Sequence, residues 1–106
     1  MNTKNTKRYR IRVAGNVQRV GFRHVASAIA ISNNLTGIAC YVNRDILIEV
    51  EGLTHDLENF IAWTKTGPEG CIIENYELFE IPPVKSKLFE IVPGITADSE
   101  MQQIAV

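Results

Sequence analysis

The stretch "RYRIRVAGNVQRVGFRHVASAIAI", residues 8–31, decides the fold. Its period changes half-way. Tyr9, Ile11 and Val13 alternate with Arg8, Arg10 and Arg12, the two-residue repeat of a strand with one buried and one wet face. From Phe22 onward the apolar positions are Phe22, Val25, Ala26, Ile29 and Ala30, which is helical spacing. Between them lies a loop with Gly15 and Gly21 and, just inside the helix, Arg23. At a helix start the first N–H groups lack partners and the dipole is positive. Glycines let a loop turn successive N–H groups inward. An arginine adds a planar fork that holds two phosphate oxygens. Spacing alone leaves two readings open: an anion cradle, or a plain turn followed by a surface cation.

Working outward, "LTGIACYV" (35–42) and "DILIEVEG" (45–52) read as strands, and Asn43-Arg44 between them is short enough for a hairpin. Thr54 is placed to cap a helix carrying Leu57, Phe60, Ile61 and Thr64 on one side. Asp56 and Glu58 in its first turn suit the dipole. "TGPEG" (66–70) stops it. "CIIENYELFEI" (71–81) and "KLFEIV" (87–92) read as two more strands, parted by Pro82-Pro83. The order β-α-β-β-α-β plus one terminal strand predicts an α+β, ferredoxin-like sandwich, an antiparallel sheet with two helices on one face. Residues 1–6 are expected to be a flexible tail, 7–92 the domain, and 93–106, opening with Pro-Gly, a mobile C-terminal tail.

A chain of 106 residues is one domain by length, with 45% apolar and 22% charged residues. The formal net charge of −1 gives no global field to recruit nucleic acid or an anionic membrane. No apolar run approaches the ~20 residues of a membrane span, and "MNTKNTKRYR" has no apolar leader segment. Cys40 and Cys71 sit in apolar stretches and read as buried thiols. With His24 and His55 they are too dispersed for a metal site. A cytoplasmic location follows as the expectation. His24 and His55 read as exposed, and Trp63 as packing.

The loop "GNVQRVGFR", residues 15–23, resembles the acylphosphatase signature, Gly-x-Val-Gln-Gly-Val-x-Phe-Arg. Gly15, Val17, Gln18, Val20, Phe22 and Arg23 match it. "LTG" at 35–37, "VEG" at 50–52, "FIAWTKTGPEGCI" at 60–72 and "LFEIV" at 88–92 are similar to later parts of the family, in order. The resemblance implies the βαββαβ fold and hydrolysis of a carboxyl–phosphate anhydride, an acyl phosphate, to carboxylate and inorganic phosphate. It implies no metal and no cofactor. It assigns phosphate binding to the loop backbone (Gly15, Asn16, Val17, Gln18, Arg19 and Val20) and to Arg23. It also implies an asparagine on the second strand that positions the attacking water.

Two positions depart from the pattern. Arg19 stands where the family has Gly: if the loop needs positive φ there, it carries a strain of about 1 kcal/mol. Its side chain is either a second cation at the site or a solvated one. Counted from Gly37, the family's asparagine falls on Tyr41, which either replaces the amide in catalysis by a different geometry, blocks the site, or packs over it without a chemical role. Asn43 is a substitute if a register change or bulge brings it closer, and a plain turn residue if not. A second function is therefore open: a catalytically impaired module that binds phosphate or a phosphorylated metabolite. The arginine stripe reads as a solvated face of cross-strand charge pairs rather than an RNA surface. The chain is expected to be a monomer. Ile38, Cys40, Val42 and Leu47 on the outer face would mark a dimer contact or cover by the C-terminal tail.

Overall fold

The computed structural model describes residues 5–94. The elements are β1 (Thr6–Asn16), α1 (Phe22–Ser32), β2 (Thr36–Val42), β3 (Asp45–Leu53), α2 (Thr54–Thr64), β4 (Ile72–Ile81) and β5 (Phe89–Ile91). β1 begins at Thr6, which pairs with Leu53, so the ordered sheet reaches one residue into the segment expected to be a tail. The expectations for residues 1–4 and 95–106 lie outside the described residues.

The sheet order is β4-β1-β3-β2-β5. Four strands are antiparallel, as expected. β5 departs from that pattern and joins β2 in parallel, with Gly37 opposite Phe89. The reason is geometric: the segment after β4 crosses back over the sheet before it pairs. β2 and β3 pair without a break from Thr36–Glu51 to Val42–Asp45, leaving Asn43-Arg44 as a two-residue turn. The bulge that would carry Asn43 inward is therefore absent from this hairpin. A register shift does occur between Ala14 and Gly15, in the β1–β4 ladder, where the loop begins.

The alternation in β1 and β3 sends Ile11, Val13, Ile46, Ile48 and Val50 to the helix-facing side, where all are buried with Phe22, Ala26, Ala30, Leu57 and Phe60. Each of these side chains other than the two alanines contributes about 1.5–3 kcal/mol on burial. Trp63 packs at ring-centroid distances of 5.2 Å from Phe22 and 6.1 Å from Phe60. The cap of α2 differs from expectation. Leu53 is the N-cap, without a side-chain cap hydrogen bond, and Thr54 is the first helical residue; its hydroxyl donates to the Asn5 carbonyl at 2.9 Å.

On the outer face, Arg8 reaches Glu49 and Glu51 at 3.0 Å each, Arg10 reaches Glu49 at 2.9 Å and Arg12 reaches Asp45 at 2.9 Å. The stripe is thus paired across the strands, but it is not solvated throughout as expected: Arg10 is exposed and Arg12 half-buried, whereas Arg8 and Glu51 are buried. Of the apolar residues expected on this face, Cys40 and Val42 are buried, while Ile38 and Leu47 are half-buried. No disulfide links Cys40 to Cys71. Among the described residues, no helix is long and apolar enough to cross a membrane.

Candidate active site

β1 and β2 flank β3 and both run antiparallel to it, so their C-terminal ends lie at the same end of the sheet. The register makes this concrete: Val13 faces Ile46, which faces Tyr41. The loop after β1 and the last turn of β2 therefore meet across one intervening strand, about 10 Å of sheet.

The loop is anchored by its valines. Val17 is fully buried in the core and Val20 packs against it, which leaves Gln18 half-buried and Arg19 exposed at the crest. Gly15 sits at φ 135°, and a Cβ there would strike the carbonyl oxygen of Ile72, so only glycine fits. Arg19 sits at φ 63°, in the left-handed region. The fork posed by the sequence resolves here: the loop does need positive φ at this position, and Arg19 bears the strain. Gly21, at φ 74° and ψ 23°, is the N-cap of α1 and makes no side-chain cap bond.

Three features leave this end of the molecule positive and unpartnered. Among the described residues, no N–H group of residues 17–21 donates a backbone–backbone hydrogen bond. The first turn of α1 carries no acidic residue, whereas that of α2 carries Asp56, so of these two helices α1 leaves its dipole uncompensated. No carboxylate among the described residues pairs with Arg23 or Arg19, in contrast to Arg8, Arg10 and Arg12. The arrangement can hold an anion of phosphate size by loop N–H groups and one guanidinium.

Arg23, the second residue of α1, is half-buried, and its Cζ lies 4.3 Å from the centroid of the Tyr41 ring. Arg23 and Tyr41 are therefore brought together. Asn43 is exposed at φ 58° in the hairpin turn, one residue beyond the end of β2. His24 is exposed, and His55 is exposed beside Asp56 at 3.1 Å. Packing of Tyr41 over the site is one reading of the sequence, but that reading does not name Arg23 as the group it stacks on. The signal for the stack was the parallel relation of β1 and β2, which puts the start of α1 beside the end of β2.

The acylphosphatase family profile matches residues 9–91. The chain belongs to the acylphosphatase family. It is 33% identical over 88 residues to an acylphosphatase of Clostridium acetobutylicum, covering 81% of this chain and 97% of that one. It is also 33% identical over 90 residues to the carbamoyltransferase HypF of Rhizobium leguminosarum bv. viciae, but spans only 12% of that protein. Among solved structures, full-length HypF in its phosphate- and nucleotide-bound form superposes with a TM-score of 0.82 at 33% identity, over 87% of this chain and 12% of that one. The acylphosphatase of Bacillus subtilis superposes with a TM-score of 0.74 at 30% identity, over 81% and 98%.

Proposed function

We propose that this chain hydrolyses acyl phosphates, with the phosphoryl group held by the backbone N–H groups of residues 15–20 and by Arg23. The observation that carries the reading is the run of N–H groups at residues 17–21 that lack a backbone partner among the described residues, leading into a helix start with no acidic residue in its first turn and an Arg23 with no carboxylate partner among those residues. Water attacks phosphorus in line with the bond to the acyl oxygen. That bond breaks with its electron pair on the departing carboxylate, and the protons of the water leave with the phosphate product and solvent. The carboxylate is already a good leaving group. What remains for the protein is to stabilise the charge on the phosphoryl oxygens and to orient water.

Tyr41 occupies the family's asparagine position, and the unbroken hairpin leaves Asn43 an exposed turn residue. The acting unit is the domain of residues 7–92, a monomer located in the cytoplasm. Hydrolysis of benzoyl phosphate in 18O-labelled water tests the reading: the label is expected in inorganic phosphate. Label in benzoate would mean attack at the acyl carbon and would refute phosphoryl transfer in this cradle. Asn43→Ala is expected to leave kcat unchanged, and a lowered kcat at unchanged KM would return Asn43 to the mechanism as the water-orienting amide.

One observation favours a second reading. A ring, and not an amide, stands against Arg23. A module that binds phosphate or a phosphorylated metabolite without turnover would keep the cradle and show no labelled product at all.

A further inference from the structure

We propose that Tyr41 is the positioning residue for Arg23, holding the guanidinium by its ring face so that the in-plane N–H groups stay free for the phosphoryl oxygens. The proposal rests on the reading of Arg23 as a phosphoryl-binding group. An arginine that waits for an anion needs something to hold it. A carboxylate would do so through the same N–H donors the phosphate requires, and would compete with it. An aromatic face attracts the cation through its quadrupole and uses none of those donors. The geometry is of that kind. Arg23 Cζ is 4.3 Å from the Tyr41 centroid, well inside the range of about 6 Å for such contacts. No carboxylate among the described residues pairs with Arg23.

Tyr41 is itself fixed. It pairs with Ile46 in the hairpin, packs against the buried core, and has Gly94 beside its Cβ. The ring face is the part of Tyr41 that meets the guanidinium. This separates two tasks at one position. The tyrosine orders the arginine for binding, whereas an asparagine there would orient water.

Inorganic phosphate is the probe, titrated calorimetrically, so the test does not depend on turnover. Tyr41→Phe keeps the face and is expected to bind phosphate within about twofold of the wild type. Tyr41→Leu keeps bulk without a π face and is expected to bind about fivefold more weakly, the usual size of a partly exposed cation–π contact. In an Arg23→Ala background, Tyr41→Leu is expected to change nothing, which a merely structural loss would not reproduce. Wild-type affinity in Tyr41→Leu overturns the proposal, as does a Phe variant as weak as the Leu one.

A second measurement uses the wild-type protein alone. The Arg23 Nε–H proton is expected upfield of ordinary arginines, through the ring current, and to stay there at saturating phosphate. An unshifted proton, or a shift that vanishes with phosphate, overturns it. If Arg23→Ala binds phosphate as well as the wild type, the cradle reading fails and the proposal falls with it. Failure of hydrolysis alone leaves these outcomes unchanged.

Discussion

Replacing Glu51 by alanine is expected to cost far more than a surface charge. Arg8 and Glu51 have side chains only 6% and 5% exposed. Glu51 Oε1 accepts from Arg8 Nη1 at 3.0 Å and from the Val84 N–H at 2.9 Å, and Oε2 accepts from the Lys85 N–H at 2.9 Å. Arg8 Nε already lacks a partner. Breaking a buried pair typically costs about 3–5 kcal/mol. Glu49 still holds Arg8 Nη2, and Val84 and Lys85 are exposed to water, so the lower end applies, about 3 kcal/mol. At about 4–8 °C per kcal/mol for a domain of this size, Tm falls by roughly 12–24 °C. Urea unfolding with amide exchange is the assay. The lost contacts anchor the segment leading to β5, so the Gly37 N–H, bonded to the Leu88 carbonyl at 2.8 Å, should open before the β1 core. Arg8→Met with Glu51→Leu should regain most of the loss. A cost below about 1 kcal/mol, with wild-type exchange at Gly37, would refute the reasoning and mean that water already reaches the pair.

Burial pulls the Glu49 carboxyl up, but hydrogen bonds from Arg8 and Arg10 outweigh it and hold it below its ordinary 4.5. A lowered folded pKa gives stability that is present above about 4.5 and lost as pH falls through the folded value. Urea midpoints across pH 3–6 should therefore fall less steeply in Glu49→Gln than in the wild type. Arg19→Gly should gain about 1 kcal/mol by relieving the φ of 63° and should weaken phosphate binding; unchanged affinity removes Arg19 from the site. Gly15→Ala should cost about 3 kcal/mol, because its Cβ meets the backbone of Ile72 and Glu74, and should abolish phosphate binding in the same titration.

The period change at residues 8–31 was legible because burial imposes it: Ile11 and Val13 must face the core together, as must Phe22, Ala26 and Ala30. The charge stripe was legible for the same reason, since Arg8 and Arg10 on β1 face Glu51 and Glu49 on β3, while Arg12 faces Leu47 and reaches Asp45 on the diagonal. Pairing direction was not. Nothing in "LFEIV" says that β5 joins β2 in parallel, because three ladder residues carry no periodic signal. Thr54 misled because a threonine before an apolar run suits both the N-cap and the first helical turn; the bond to Asn5 comes from the other end of β1. The left-handed backbone of Arg19 was visible only as a fork, since an arginine shows no preference for positive φ. The Arg23–Tyr41 stack joins residues on an element start and an element end, and depends on register across three strands. Periodicity fixes faces, not such distances.

Hydrolysis of a simple aryl acyl phosphate by the wild type and by Arg23→Ala, without added metal, tests the central claim most directly. Losing a preorganised charge donor costs a factor of about 100 to 1,000 in rate. Wild-type turnover that collapses by that factor, in a variant with unchanged Tm, is the expected result. Equal turnover by the two proteins, or none by the wild type, would contradict it.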